Sequence, residues 1–339
     1  MKLGKTGKMG SDVVAHVMTA VVALGSAQAM AAATMKAGVI HDGSVKIESV
    51  AIPEPAAGQV RIKVIAAGVN PVDWKIAARG TANKQIAGKD VAGVIDKVGA
   101  GVTGWKAGDA VVALATNGGY AEYAIAAVDA IAAKPTKMSF DEASGIPVVA
   151  ETAYRALITV GDVQKGQRVL IHGAAGGVGS SAVQIAKAKG AYVIGTASAR
   201  NHAFLKSLGA DETIDYTAVR FEDKVKDIDL VLNTADADTN VRSVGTVKKR
   251  GKLVSVVGAP PASACAMAGI TCSGIGSVNG QMLPDISGEE VEKYLSENGY
   301  LEKSDAPADA PINSSCTDEQ HAAMAAGRPV VPGKIRFLD

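Results

Sequence analysis

The chain has 339 residues, a formal net charge of +1, 47% hydrophobic residues and only 4% aromatic residues. This length is enough for two domains whose cores are built mainly from Val, Ile, Ala and Leu. Because the charges nearly balance and no basic block stands out, the composition argues against nucleic acid as the main partner. The three cysteines, Cys265, Cys272 and Cys316, have no metal-ligand spacing and no C-x-x-C motif, so we interpret them as ordinary thiols.

Residues 1–32 have the outline of a secretory signal. Three lysines among the first eight residues precede a mostly apolar run over 13–24, and residues 25–29 offer small residues for cleavage. The run is too short for a stable membrane span in the mature chain. Asp12 and His16 favour the alternative of a disordered extension. We therefore expect an exported, periplasmic protein if the signal is real, and a cytoplasmic protein otherwise.

Residues 35–149 alternate between apolar and polar side chains in short runs punctuated by Gly and Pro, which predicts an all-β domain. The predicted strands cover residues 45–50, 60–66, 91–98, 110–114 and 120–125. A helical pattern follows, with Ser139 as candidate N-cap and Glu142 three residues later, and extends to Val160. We place the domain boundary near residue 150, with domains at 35–150 and 151–290.

The stretch 168–200 carries the strongest functional signal. An apolar strand, a glycine-rich turn, an amphipathic helix and a second strand follow one another, as in a dinucleotide-binding βαβ unit. Ala174 replaces the first glycine of the usual G-x-G-x-x-G pattern. The expected cofactor contacts in this turn are Ala175, Gly176, Gly177, Val178 and Gly179. The alternative is a tight turn in an α/β protein that binds no nucleotide.

The end of the second strand should decide between NAD and NADP. An acidic residue there would bind the ribose 2′-hydroxyl and repel a 2′-phosphate. Counting back from Leu208, the position is Thr196, and Ser198 and Arg200 follow it with groups suited to a phosphate. We therefore predict NADP as the cofactor, the alternative being that Arg200 is only a solvated side chain.

Three further strands are predicted at 211–216, 229–234 and 252–258. Ligands of such folds bind at the carboxyl ends of the parallel strands. We therefore expect Asn233, Thr234, Val257 and Gly258 near the ribose and the nicotinamide.

The motifs AAGGVG at 174–179, TAS-x-R at 196–200 and LGAD at 208–211 resemble the medium-chain dehydrogenase/reductase superfamily. The similarity is greatest to its zinc-independent quinone oxidoreductase (zeta-crystallin-like) branch. The resemblance implies an α/β fold with a GroES-like β-barrel catalytic domain, completed by about 300–339, plus a Rossmann doubly wound nucleotide-binding domain. The chain departs from the family over about 280–330, where relatives line the substrate pocket and pair subunits, so a homodimer remains an open expectation.

Both ligand motifs of the zinc-dependent members are altered. Their cysteine ligand follows an A-x-G-V motif, but Asn70 and Pro71 follow Val69 here. Their histidine ligand lies in G-H-E-x-x-G, where this chain has Lys89, and their four-cysteine lobe is missing. Because a tetrahedral zinc site needs three or four suitable ligands, we expect no metal and set aside a zinc-dependent alcohol dehydrogenase.

The string NPVDWK, residues 70–75, matches the zinc-independent reductases, in which the Asn side chain lies in the active-site cleft. The resemblance implies catalytic roles around Asn70, with Trp74 as a wall for the acceptor and Lys75 beside it. The alternatives are a simple turn at Asn70, a core or rim aromatic at Trp74 and a local charge pair for Asp73 and Lys75.

Three more polar residues bear on this cleft. The resemblance implies that Thr152 lies beside the nicotinamide. A proton for the reaction would come from solvent or from a hydroxyl such as that of Tyr123. Asp90, between apolar residues, is interpreted as a structural hydrogen-bond acceptor rather than an acid catalyst.

The preferred interpretation is an NADPH-dependent reductase that acts on a quinone or an α,β-unsaturated carbonyl, since the cofactor carries the chemistry and the protein positions it. The alternative is an NADPH-binding redox sensor or structural protein without turnover. Export would be hard to reconcile with either, because nicotinamide cofactors are scarce outside the cytoplasm.

Overall fold

The computed structural model describes residues 33–275 except Thr81, and the backbone of 277–278, 281–282 and 334–335. The signal-like segment 1–32, most of the divergent stretch 280–330, and Cys316 lie outside these residues. Within them, no helix combines the length and the apolar character needed to cross a membrane.

The first half of the fold is a curled antiparallel sheet preceded by a hairpin. Its strands are β1 (Thr34–His41), β2 (Ser44–Ala51), β3 (Gln59–Gly68), β4 (Asp90–Val98), β5 (Ala110–Leu114), β6 (Tyr123–Ala127) and β7 (Ile131–Ala133). Helix α1 (Pro71–Ala78) connects β3 to β4. Strand β3 pairs with β4 on one side and with β6 and β16 (Lys334–Ile335) on the other, so the expected return of the chain end to the barrel is present. The core consists of buried aliphatic side chains, including Val60, Ile62, Val91, Ile95, Val111 and Ile131.

The helical region after the barrel is divided where the sequence predicted one helix. Helix α2 (Phe140–Ala143) begins with the predicted capping box, in which Ser139 accepts from the Glu142 N–H at 3.2 Å and Glu142 accepts from the Ser139 N–H at 2.9 Å. Helix α3 (Pro147–Tyr154) then starts with a proline in its first turn. Proline is tolerated there but not inside a helix. The chain continues through a wider π-helical turn, Arg155–Val160.

The second half is a six-stranded parallel sheet with the order β10–β9–β8–β11–β12–β13. Its strands are β8 (Arg168–His172), β9 (Tyr192–Ala197), β10 (Glu212–Asp215), β11 (Ile228–Asn233), β12 (Val247–Ser255) and β13 (Thr271–Gly274). Its helices are α4 (Gly177–Ala188), α5 (His202–Ser207), α6 (Ala237–Ser243) and α7 (Ala262–Ala268). A small antiparallel pair follows, β14 (Ser277–Val278) and β15 (Gln281–Met282). The strand order reverses between β8 and β11, which is the doubly wound arrangement and confirms the predicted fold class.

Cys265 and Cys272 form a disulfide with a Cα–Cα distance of 6.2 Å, which corrects our interpretation of both as thiols. Helix α7 ends at Gly269, whose positive φ of 66° reverses the chain. Strand β13 then runs back beside the helix and brings Cys272 to Cys265. The separation of seven residues did not reveal the pair, because the reversal depends on where the helix ends.

Candidate active site

The glycine-rich turn is built by close approach of the backbone. Gly173 has a φ of 65°, and a Cβ there would lie 2.6 Å from the Thr234 hydroxyl oxygen, which donates to the His172 carbonyl oxygen at 2.7 Å. A Cβ on Gly179 would lie 2.3 Å from the Gly173 carbonyl oxygen. These contacts hold the start of α4 directly behind β8, where only glycine fits.

Helix α4 presents an open N-terminus at the point where the strand order reverses. Its N-cap, Gly176, has no side chain to accept from the first N–H groups, so no side chain caps them at the positive end of the helix dipole. The expected contacts Ala175, Gly176, Gly177 and Val178 are partly or fully exposed at this turn, whereas Gly179 is buried. A dinucleotide pyrophosphate fits this arrangement, and the nicotinamide would supply the two electrons and the hydrogen of a reduction.

The alanine that replaces the first glycine of the G-x-G-x-x-G pattern is accommodated by a glycine in the neighbouring strand. Ala174 is fully buried, and its N–H donates to the Thr196 carbonyl oxygen at 3.1 Å. A Cβ on Gly195, in the neighbouring strand, would lie 3.0 Å from the Ala174 Cβ. The methyl group at 174 is thus accommodated because residue 195 has none.

The structure does not place the Thr196 side chain where the sequence predicted it. Thr196 is 3% exposed, and its hydroxyl lies 3.2 Å from Nδ1 of the buried His172. Strand β9 ends one residue later, at Ala197. Both faces of the strand end are buried, since Ala197 is also only 3% exposed, so the first accessible side chain at this edge is that of Ser198. Thr196 therefore has no free group for a ribose.

His172 joins two strands and a helix as a neutral ring. Ser243 donates its hydroxyl proton to the Thr239 carbonyl at 2.6 Å, so it must accept from His172 Nε2, at 3.0 Å. Nδ1 then accepts from Thr196. Burial lowers the pKa of His172 to about 3, and the positive charge of Arg242 acts in the same direction.

Ser198 and Arg200 lie beyond the end of β9, and both are accessible. The Ser198 hydroxyl accepts from Asn201 at 3.3 Å. Arg200 is exposed and has no hydrogen bond or ion pair with another described residue. Asp215 pairs with Ala197 in the sheet, so Tyr216, which is 60% exposed, leaves the neighbouring strand at the same edge. This edge offers a free guanidinium and hydroxyl groups.

Asn233, expected near the ribose, is fully buried. Its amide donates to the Asp236 carbonyl and to the Asn240 side chain, both at 2.7 Å, and accepts from the Ala235 N–H at 2.9 Å. The side chain therefore shapes the turn after β11 instead of facing a ligand. Val257 and Gly258 follow β12 at the same edge and are partly exposed and exposed, respectively.

On the barrel side, Asn70 and Asp90 form a buried pair. Asn70 is the N-cap of α1, and its side-chain amide donates to Asp90 Oδ2 at 2.8 Å. The other Asp90 oxygen accepts from the Val148 N–H at 2.9 Å, and Thr152 lies one helical turn further along α3. Burial raises the pKa of Asp90 to about 7, although both donors act in the opposite direction. Asp90 thus accepts structural hydrogen bonds, as the sequence indicated.

A second carboxylate extends this network and reveals a tyrosine that sequence reasoning missed. Asp73 Oδ2 accepts from the Asn70 N–H and from the Tyr120 hydroxyl, both at 2.8 Å. Burial raises the pKa of both Asp73 and Tyr120. The sequence offers one signal for it: the predicted strand 120–125 contains two tyrosines, Tyr120 and Tyr123, at positions that point to opposite faces of a strand. We name Asn70, Asp73, Asp90 and Tyr120 the barrel network.

The other expected catalytic residues lie outside the barrel network. Tyr123 is on β6, beneath the guanidinium of Arg61 at 5.4 Å, and it packs in the cluster around Met35. Trp74 is 61% exposed, and the Lys75 ammonium lies 5.6 Å from the centre of its ring, so these two form a cation–π pair at the surface. The structure therefore does not bring Tyr123 into the barrel network.

Positions 70 and 89 correspond to the cysteine and histidine ligands of the zinc-dependent members, and the groups found there do not suit zinc. Asn70 uses its amide nitrogen on Asp90, and Lys89, with an ammonium group, has no lone pair to offer a metal. Among the described residues, no group of three or more His, Cys, Asp or Glu side chains is arranged to hold a metal ion.

Comparison with known proteins covers both halves of the fold. The family model for the alcohol dehydrogenase GroES-like domain matches residues 56–136, and the model for zinc-binding dehydrogenase matches 177–296. The chain is 39% identical over 227 residues to a quinone oxidoreductase from Pongo abelii, which covers 63% of this chain and 69% of that protein. It is also 39% identical over 250 residues to a 2-methylene-furan-3-one reductase from Solanum lycopersicum, covering 67% and 64%. The structure of the quinone oxidoreductase from Coxiella burnetii has a TM-score of 0.68 at 32% identity, covering 80% and 90% of the two chains.

The raised pKa of Asp90 predicts a specific pH dependence of stability. The folded carboxyl keeps its proton up to about pH 7, whereas the unfolded one releases it near 3.8. Its contribution to the free energy of unfolding is therefore present at about pH 4 and is lost as the pH rises through about 7. Asp90→Asn removes this dependence. The stability of the wild type relative to the variant should fall by up to about 4 kcal/mol between about pH 4 and about pH 8.

Urea unfolding of both proteins across this range measures the difference. Asp129→Asn, which removes an exposed carboxylate from the same domain, is the matched control and should show no comparable trend. A wild-type advantage that grows with pH would contradict the assignment of a protonated Asp90 in the folded state.

Proposed function

This chain belongs to the medium-chain dehydrogenase/reductase superfamily, in its quinone oxidoreductase branch, and on that premise we propose that it reduces a quinone or an α,β-unsaturated carbonyl with NADPH and without zinc. It is an oxidoreductase, and its family uses NAD or NADP. The choice of NADPH, the class of acceptor and the zinc-free chemistry are the proposal.

The observation that carries the proposal is that two features of the site, the open N-terminus of α4 and the barrel network, both lie along helix α3. The open N-terminus of α4 behind β8 supplies the binding site for a pyrophosphate. The barrel network is fixed to the start of α3 through Asp90 and Val148, and Thr152 follows on the same helix. A side chain on α3 can therefore contact the cofactor while the network at its start borders the acceptor side.

Zinc-free chemistry is supported by the donor groups at the two altered ligand positions. The Asn70 amide is held by Asp90, and Lys89 adds a positive charge that would repel a divalent cation. Relatives with this acceptor chemistry in their names, the quinone oxidoreductase of Pongo abelii and the furanone reductase of Solanum lycopersicum, support a flat conjugated acceptor.

Localisation is a separate proposal: we propose that residues before β1 are a signal and that the protein is exported, although nicotinamide cofactors are scarce outside the cytoplasm. Strand β1 begins at Thr34, so cleavage within 30–34 removes no described element of secondary structure. The Cys265–Cys272 disulfide supports an oxidising compartment, because such bonds are rare where glutathione keeps thiols reduced.

The reaction is tested with protein from which metal has been removed by chelation. It should still oxidise NADPH when given a quinone or an enone, and it should be inactive with simple primary alcohols and NADP, since no metal polarises an alkoxide. Asn70→Ala should lower kcat more than NADPH affinity, because it leaves Asp90 without one of its two donors on the acceptor side.

Two outcomes contradict parts of this proposal. Activity that disappears on chelation and returns with zinc would refute the zinc-free reaction. Tight NADPH binding without oxidation across a broad panel of acceptors would favour the redox-sensor or structural alternative.

Cofactor preference is tested at the edge of β9. Arg200→Ala should weaken NADPH binding by roughly tenfold to a hundredfold and leave NADH nearly unchanged, because a charge-assisted hydrogen bond contributes about 1.5–3 kcal/mol. Lys189→Ala removes a positive charge at the opposite end of α4 and is the matched control. Calorimetric titration with both cofactors gives the ratio. Equal losses for NADPH and NADH would show that Arg200 does not read the 2′-phosphate.

Export is tested on protein from its native source. Intact mass should place the mature N-terminus between about Met30 and Thr34. Under non-reducing, denaturing conditions only one of the three cysteines should be alkylated, and all three after reduction, because Cys265 and Cys272 are bonded. A full-length chain with three free thiols would mean that the segment is an extension of a protein kept in a reducing compartment.

A further inference from the structure

A cavity of about 490 Å³ opens beside the barrel network. Its walls come from β1, α1, the segment that leads into β4 and the segment that follows β5, and they include Ile40, Asp73, Ile76, Lys84, Lys89 and Asn117. This volume lies within the range of small-molecule sites, and the lining combines apolar side chains with a few polar groups, as such sites do. We name it the Lys89 cavity.

One polar atom in the wall lacks a partner. Asp73 is 6% exposed, and the hydrogen bonds that it accepts from Asn70 and from Tyr120 both go to Oδ2. Oδ1 is buried and has no hydrogen-bond partner among the described residues. Buried carboxylate oxygens without a partner are rare, because each one loses its hydration without replacement. The unpartnered oxygen therefore marks a position beside the cavity at which a hydrogen-bond donor is missing.

Lys89 is the cation that reaches this wall. It is exposed, it lines the same cavity, and it directly precedes Asp90. Asp73 and Lys89 lie in the wall of one cavity, and the charge of Lys89 opposes the rise that burial causes in the pKa of Asp73. The titratable groups that line the cavity are Asp73, Lys84 and Lys89.

We propose that the Lys89 cavity binds the carbonyl end of the acceptor, and that the Lys89 ammonium, which shares the cavity wall with Asp73, is the catalytic proton donor to its oxygen. This assignment rests on the proposed function for the reaction itself. It identifies the ligand as a neutral conjugated carbonyl compound whose oxygen becomes an anion during reduction. The ammonium at position 89 then does the electrostatic work that a metal does in zinc-dependent members.

The step balances in atoms and electrons. In the proposed reaction a hydride from the reduced nicotinamide would add to the β-carbon of an enone. The C=C π electrons would then form a double bond between the α-carbon and the carbonyl carbon, and the C=O π electrons would move onto the carbonyl oxygen. The Lys89 ammonium gives that oxygen a proton, and the resulting enol rearranges to the ketone. Because Lys89 is exposed, its neutral amine regains a proton from water. With a quinone, the same hydride and proton yield the hydroquinone.

Other acids near the cavity do not fit this role. Both oxygens of the fully buried Asp90 accept hydrogen bonds, from Asn70 and from Val148. The Tyr120 hydroxyl donates to Asp73, and burial raises its pKa, so it holds its proton more tightly than a free phenol. Tyr123 packs in a different cluster, beneath Arg61.

The test uses 4-nitrophenol as a stable mimic of the oxygen anion, on the full chain without nicotinamide. The phenolate absorbs visible light, so its ionisation on the protein is read directly against pH. A cation within contact distance should lower the pKa of the bound phenol by about 1–3 pH units. Lys89→Met should abolish this lowering. Lys63→Met, which removes an exposed ammonium from β3 of the same barrel, should preserve it.

Lys89→Arg separates charge from proton donation. The guanidinium keeps the positive charge but does not release a proton. This variant should retain the lowered phenol pKa, while kcat for an enone should fall at least tenfold and NADPH binding should stay unchanged.

Three outcomes would contradict either the cavity assignment or the proposed function. If the wild type does not lower the phenol pKa, whether because the probe binds elsewhere or does not bind, the assignment of the Lys89 cavity is wrong. A lowering that persists in Lys89→Met also overturns it. A phenol response as expected, with no NADPH oxidation by any acceptor, would instead refute the proposed function and leave the anion site in place.

Discussion

The buried carboxylate of Asp90 is the constraint on which the two halves of the molecule depend. It is fully buried at the start of β4, and its oxygens are satisfied from two directions, by the Asn70 amide of the barrel and by the Val148 N–H of α3. Gly68 makes this approach possible, since a Cβ there would lie 2.3 Å from the Ser144 carbonyl oxygen and 2.9 Å from the Asp90 Cβ. Losing either donor would leave a buried polar oxygen unpaired, which costs about 1–3 kcal/mol. The helix that leads to the nucleotide sheet is thus held by a hydrogen bond that only the folded barrel can offer.

Two buried groups oppose each other in their effect on stability as the pH changes. The raised pKa of Asp90 favours the folded state at low pH, and that contribution is lost as the pH rises through about 7. The lowered pKa of His172 has the opposite effect, because its neutral form is the one that is folded, and stability is lost as the pH falls from 6.5 towards about 3. Over about pH 4 to 6.5 the two slopes have opposite signs. A flat wild-type profile in this range is therefore compatible with two strongly perturbed groups.

Structural features that depend on neighbouring residues could be predicted from the sequence. The strands, the glycine-rich turn and the Ser139 capping box are set by local spacing, and the structure has them. Burial at the strand end could not be predicted, because Thr196 there is a buried partner of His172 and the accessible side chains begin only at Ser198. The same limit applies to Asn233, whose amide is consumed by the turn that follows it. The pairing of Cys265 with Cys272 depends on where α7 ends, which the composition of that segment does not reveal.

The antiparallel pairing of β3 with β4 explains why Asn70 and Lys89, at the two altered zinc-ligand positions, lie at the same edge of the barrel. Ala67 pairs with Val91, so the end of β3 and the start of β4 lie at the same edge of the barrel. Asn70 and Lys89 therefore lie near the same edge although the chain between them includes α1, and Asp73, which accepts from the Asn70 N–H, lines the same cavity as Lys89. An ammonium at this edge and a divalent cation would repel each other at close range with little solvent between them. In the proposed reaction, Lys89 thus has two effects: it disfavours a metal at this edge, and it supplies the positive charge that an acceptor oxygen needs when it becomes an anion.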